Sequence, residues 1–153
     1  MKIRVLLLTL ICALAIVPGV QAQAGQSKSE DEPETELDKR MEKMSGAFRR
    51  LRRQVEDPTK NADSLERIKI ILENTQAALK FEPAKKADLP AAEQAKFVAA
   101  YQAEMKDFIS LVGKVEAALK ANNNEEAKKL VGAMGDQQKK AHKEFQKKKK
   151  DKK

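Results

Sequence analysis

Between Thr35 and Gln146 the apolar residues recur with helical spacing in four separate runs. In the first, Leu37, Met41, Met44, Phe48, Leu51 and Val55 alternate steps of four and three, a seam of period 3.5 that suits helices packed at shallow angles. The stretch TELD, with Asp38 in place of the usual Glu or Gln, predicts a capping-box start at Thr35, and Asp57-Pro58 predicts the stop. The second run carries Leu65, Ile68, Leu72, Thr75 and Leu79 behind DSLE, which predicts Asp63 as N-cap; Pro83 and AKKAD break it. The third is expected to start near Asp88 with Pro90 in its first turn, and to line one face with Phe97, Tyr101, Met105, Phe108, Val112, Val115 and Leu119. A turn at Asn122 to Asn124 leads into the fourth, whose stripe is Ala127, Leu130/Val131, Met134, Gln138, Ala141/His142 and Phe145. Glu125 and Glu126 suit its positive dipole end, and its lysines suit the negative one. Gly113, Gly132 and Gly135 fall inside helices, where close packing is the expected reason. No run alternates with period two. The expected fold is all-α: an antiparallel up-down-up-down four-helix bundle over residues 35–146.

The flanks read differently. Lys2 and Arg4 precede an apolar run from Val5 to Val17, then Pro18-Gly19 and Val20-Gln21-Ala22, the layout of a secretory signal peptide over 1–22, cleaved after Ala22 or Ala24. Cys12, the only cysteine, would be a lipoprotein site only without the bulky Ile11 before it and the apolar run after it. The mature chain then has no thiol, hence no disulfide, no thiolate metal site and no covalent haem attachment. Residues 23–34 are expected to form a disordered acidic leader and 147–153 a disordered lysine-rich tail. The net charge of +8 falls to +6 when Lys2 and Arg4 leave with the signal peptide. Such a balance suits an acidic partner or an anionic surface, while five Phe, one Tyr and no Trp argue against stacking of nucleic-acid bases.

Chemistry-bearing residues are few. One histidine cannot supply both acid and base or a di-iron carboxylate site, and no glycine-rich phosphate loop exists. In an antiparallel bundle, however, the start of the first helix and the end of the last share one end. Met41 lies about 9 Å into the first helix at 1.5 Å per residue, and His142 lies at a similar depth in the fourth, both on inward stripes. A lone histidine near a helix C-terminus is often a surface residue complementing the dipole, and a methionine at a seam position is often core. Facing each other, the two supply a known axial pair for haem iron. Phe81, Pro83, Leu89, Phe97 and Tyr101 are expected to wall such a ring, and Arg40, Lys85, Lys86 and Lys139 to meet its propionates.

Three stretches resemble the cytochrome b562 family: LDKRMEKM, MKDF followed by LVGKVEAALK, and EEAKKLVGAMGDQQKKAHKEF. The resemblance places Met41 on the family's methionine ligand and His142 on its histidine ligand. Aligned on LVG, Phe108 falls on a pocket aromatic and Glu104 where another aromatic is expected. The resemblance implies non-covalent haem b held by Met41 and His142 and adds Phe108 to the Phe81, Phe97 and Tyr101 expected around it. It also implies a periplasmic, monomeric electron carrier rather than an enzyme, serving a redox partner, with an acidic one fitting the charge. The competing expectation is a haem-free bundle that binds an acidic partner or ligand; its mouth should be closed by packed side chains, whereas a carrier needs an apolar slot there.

Overall fold

The computed structural model describes residues 34–147. The expected signal peptide, nearly all of the acidic leader and all of the tail but Lys147 lie outside the described residues. Four helices follow one another: α1 (Glu36–Gln54), α2 (Asn61–Ala78), α3 (Ala91–Lys120) and α4 (Asn124–Phe145). They form a four-helix bundle, with no strand among the described residues. α1 packs on α2, α2 on α3 and α3 on α4; the edge between α1 and α4 is the loosest.

Local chemistry sets the boundaries. Thr35 and Asp38 complete a reciprocal capping box, the Asp38 N–H donating to Thr35 Oγ1 (3.1 Å) and the Thr35 N–H to Asp38 Oδ2 (3.0 Å). The expected cap at Asp63 is not formed. Asp57 instead accepts from the Thr59 N–H (2.9 Å), starting a 3₁₀ turn over Pro58–Lys60 that runs into α2 two residues before Asp63. Asp63 sits in the first turn of α2 and binds Arg67 and Gln54. A second 3₁₀ turn, Ala84–Asp88, occupies the α2–α3 connection, so α3 begins at Ala91 with Pro90 as its N-cap, later than expected. The α3–α4 turn is a Schellman motif. Asn122 takes the left-handed conformation (φ 54°), its N–H reaching Leu119 O (3.0 Å) and the Asn123 N–H reaching Ala118 O (2.9 Å). Asn123 then caps α4 by accepting from the Glu126 N–H (3.1 Å).

The buried face of α2 is rotated from the expected stripe. Ser64, Ile68, Ile71, Thr75 and Ala78 are buried, whereas Leu65, Leu72 and Leu79 are only half-buried. Asn61 and Ser64 take inward positions because partners meet them there. At the closed end of the bundle Asn61 and Asn124 exchange amide hydrogen bonds, Asn124 Nδ2 to Asn61 Oδ1 (2.7 Å) and Asn61 Nδ2 to Asn124 Oδ1 (3.2 Å). Asn124 Nδ2 also reaches Val55 O (2.7 Å), and Asn61 Nδ2 reaches Asn122 Oδ1 (3.0 Å) and Leu119 O (3.5 Å). These bonds join the ends of all four helices. Above them lies a dry core around Leu51, Val55, Ile68, Ile71, Val112, Leu119 and Met134.

The glycines do not mediate close packing. A Cβ on Gly113 or Gly132 would meet nothing, and one on Gly135 would make only an ordinary contact with Phe48, at 3.9 Å. Gly132→Ala is therefore expected to raise stability by ~0.5–1 kcal/mol, the backbone entropy that glycine loses in a helix. Asn124→Ala strands buried polar groups on two helices and is expected to lower stability by about 2–3 kcal/mol. Urea unfolding of both variants beside the parent chain measures the two effects.

Candidate functional site

At the end opposite the asparagines the core opens into a cavity of about 380 Å³ between α1, α3 and α4. Phe48 and Ile71, which also belong to the dry core, close its inner end, and Pro83 and Ala84 reach it from the α2–α3 connection. The walls are mainly apolar: Leu37, Met41 and Met44 from α1, Tyr101, Met105 and Phe108 from α3, Ala141 and Phe145 from α4. The volume lies in the range of small-molecule and cofactor sites.

Both Met41 and His142 line this cavity, one from each of the two helices that pack most loosely. Met41 is half-buried and His142 is exposed at the rim. Neither the Met41 sulfur nor the His142 imidazole has a hydrogen-bond partner among the described residues; the backbone carbonyl of His142 accepts from the Gln146 N–H (3.0 Å). The neighbouring thioether of Met44 differs, since the Thr75 hydroxyl lies 3.6 Å from its sulfur in hydrogen-bonding geometry. The α1 wall thus offers one engaged sulfur and one free one. A thioether and an imidazole on one apolar cavity match the donor set that haem iron takes.

The aromatic residues divide. Tyr101 and Phe108 line the cavity; Phe81 and Phe97 do not. Phe81 sits in the turn after α2, and the chain reaches the cavity only with Pro83 and Ala84. Phe97 packs on Phe145 at 5.3 Å between ring centroids, and Tyr101 meets the same ring edge-on at 5.6 Å. Phe145 is the wall residue that this trio holds, and its place on the helix-four stripe was the signal for it. Leu89 is likewise outside the lining.

None of the four expected cations lines the cavity. Arg40 donates to Asn74 Oδ1 (3.3 Å), Lys86 pairs with Glu82 (2.6 Å) and Lys139 with Asp136 (3.5 Å). Lys85 Nζ donates to the carbonyl of Glu144, tying the α2–α3 connection to the last turn of α4. The cation at the rim is Lys147, 4.0 Å from Asp88. Polar lining that the expected set lacked comes from Glu104, Gln137 and Gln138. Glu104 stands three residues after Tyr101 and four before Phe108, so its helical position already put it on this face.

Among the described residues no three His, Cys, Asp or Glu side chains group as a metal site, and no helix is long and apolar enough to cross a membrane. A family model described as Cytochrome b562 matches residues 36–146. No curated protein and no solved structure matches the chain.

Tyr101 anchors the wall to the scaffold. Its hydroxyl donates to Ala78 O (3.2 Å), and burial pushes its pKa up to about 12. The folded state holds the phenol neutral while the unfolded chain releases its proton near pH ~10. The stabilisation is therefore fully present below about pH 10 and is lost as pH rises toward 12. Thermal melts from pH 8 to 12 (~0.5-unit steps) are expected to fall more steeply for the parent chain than for Tyr101→Phe, which has no proton to lose there.

Proposed function

The chain belongs to the cytochrome b562 family, and on that premise we propose that it is an electron-transfer protein binding non-covalent haem b through Met41 and His142 as axial ligands. The observation that carries this reading is that both side chains line one apolar cavity, the sulfur and the imidazole free of other partners. When bound, haem supplies one-electron cycling between ferric and ferrous iron.

The protein's residues determine what that cycling can be used for. With Met41 and His142 both holding the iron, no coordination position would remain for a substrate, which favours a carrier over an enzyme. Both sit within helices, Met41 one turn beyond the capping box and His142 one turn before the α4 C-cap, so a change of charge asks for little movement. Leu37, Phe48, Phe108 and Phe145 exclude water, and Tyr101 faces the same space with its hydroxyl already committed to Ala78. A thioether ligand and partial burial both favour the reduced state. The rival, a haem-free binding bundle, calls for packed side chains at the mouth; an apolar cavity of about 380 Å³ there supports the carrier. An exported, periplasmic location fits the segment at residues 1–22, and a monomer that meets an acidic redox partner through its lysine-rich end fits the charge distribution.

Hemin titration followed by absorption in both redox states tests the reading. The parent chain is expected to give a sharp reduced α band at one haem per chain. His142→Ala should lose it, Met41→Ala should perturb it, and Met44→Leu should keep it. Free-hemin absorbance from the parent chain would sink the haem assignment.

A further inference from the structure

One charged side chain on the cavity wall lies outside the proposed ligand pair. Glu104 projects from α3 between Tyr101 and Phe108, and its side chain is only 16% exposed. Its Oε2 lies 3.3 Å from Nζ of Lys140 on α4, and its backbone carbonyl accepts from Gln137 Nε2 at 3.3 Å. Lys140 is 68% exposed. The other lining carboxylate, Asp38, is exposed and committed to the capping box. Glu104 is therefore the less solvated of the two lining carboxylates, and its counter-charge stands out in water.

That asymmetry has an electrostatic consequence. Charges in water are screened over a Debye length of ~8–10 Å, but a partly buried charge facing an apolar cavity is screened much less. Taking up one electron from an external donor reduces ferric to ferrous iron and lowers the charge inside the cavity by one. A negative charge on the wall favours the more positive, oxidised state; the exposed ammonium offsets this only in part.

We propose that Glu104 sets the reduction potential of the cofactor cavity, holding it below the value that the two axial ligands would give with a neutral wall, and that Lys140 is its positioning residue. The inference rests on the haem reading above. It concerns the residue that, with α3 aligned on LVG, falls where the resemblance expects an aromatic, and it gives the α3–α4 ion pair a role beyond packing.

Spectroelectrochemical titration of the haem-loaded full chain at pH 7 tests it, with Glu104→Gln, Glu104→Asp and Lys140→Gln beside the parent. Glu104→Gln keeps the shape and removes the charge; its midpoint potential is expected to shift upward. Glu104→Asp should return most of the way to the parent value, and Lys140→Gln should shift downward. Melts of the haem-free proteins should leave Glu104→Gln close to the parent, separating a charge effect from a loosened bundle. An unchanged or lowered potential in Glu104→Gln, with the parent's Met/His spectrum intact, overturns the role of Glu104 and leaves the haem reading standing. An unchanged or raised potential in Lys140→Gln overturns the role of Lys140. Failure of the parent chain to give that spectrum overturns both readings together.

Discussion

The exchange of amide hydrogen bonds between Asn61 and Asn124 is the constraint from which the rest of the molecule follows. Two buried side chains reach backbone or side-chain oxygens at the ends of α1, α2, α3 and α4, so the helices have a fixed register at one end. Buried polar groups are tolerable only when paired, and the pairing here can be made in one arrangement of the four ends. Glu56 and Lys128 add an exposed bond at 3.0 Å across the α1–α4 edge near this end. With register set there, α1 and α4 need not pack tightly further along, and the cavity occupies the space left between them.

The open end is held by different means. The capping box fixes where α1 begins, the Tyr101 hydroxyl fixes α3 against the last turn of α2, and the Phe97–Phe145–Tyr101 cluster fixes the last turn of α4. Lys85 adds a bond from the α2–α3 connection to that same turn. These contacts surround the cavity rather than fill it. A site built on a closed scaffold at one end and supported rim at the other can keep ligand positions without packing side chains into the ligand's space.

Much of this was legible in the residues, and the exceptions have physical causes. The seam of α1, the capping box and the turn at Asn122 to Asn124 were readable because each is a local rule carried by adjacent residues. The face of α2 was misread because Ile70, Ile71 and Leu72 are consecutive and give no phase, while the residues that settle the phase, Asn61 and Ser64, are polar. A pattern of apolar positions cannot anticipate polar side chains that turn inward to meet partners more than fifty residues away, as Asn61 does. Asp63 looked like a cap because DSLE has the local form of one, whereas Asp57, six residues earlier, caps the 3₁₀ turn that leads directly into α2. In the site, Met41, His142, Tyr101 and Phe108 were within reach of helical periodicity alone. Phe81 and Phe97 were not, since one depends on the path of an irregular connection and the other on the ring of Phe145 standing between it and the cavity. The cations failed for a related reason: a long basic side chain is free to find a nearer acceptor, a carboxylate for Lys86 and Lys139, an amide oxygen for Arg40 and a backbone carbonyl for Lys85.

The distribution of the two candidate axial ligands along the chain links folding to cofactor binding. Met41 belongs to the first helix and His142 to the last, and neither helix alone can present both groups to one atom. The pair shares one cavity only when the four helices hold their register, so a ligand that requires both binds the folded bundle and not the unfolded chain. Binding then adds RT ln(1 + L/Kd) to stability, which grows with the free ligand concentration L. It acts on the loosest edge, α1 against α4, where the protein supplies the fewest contacts of its own. The edge left weak by packing is thus the one that a cofactor held by Met41 and His142 would bridge.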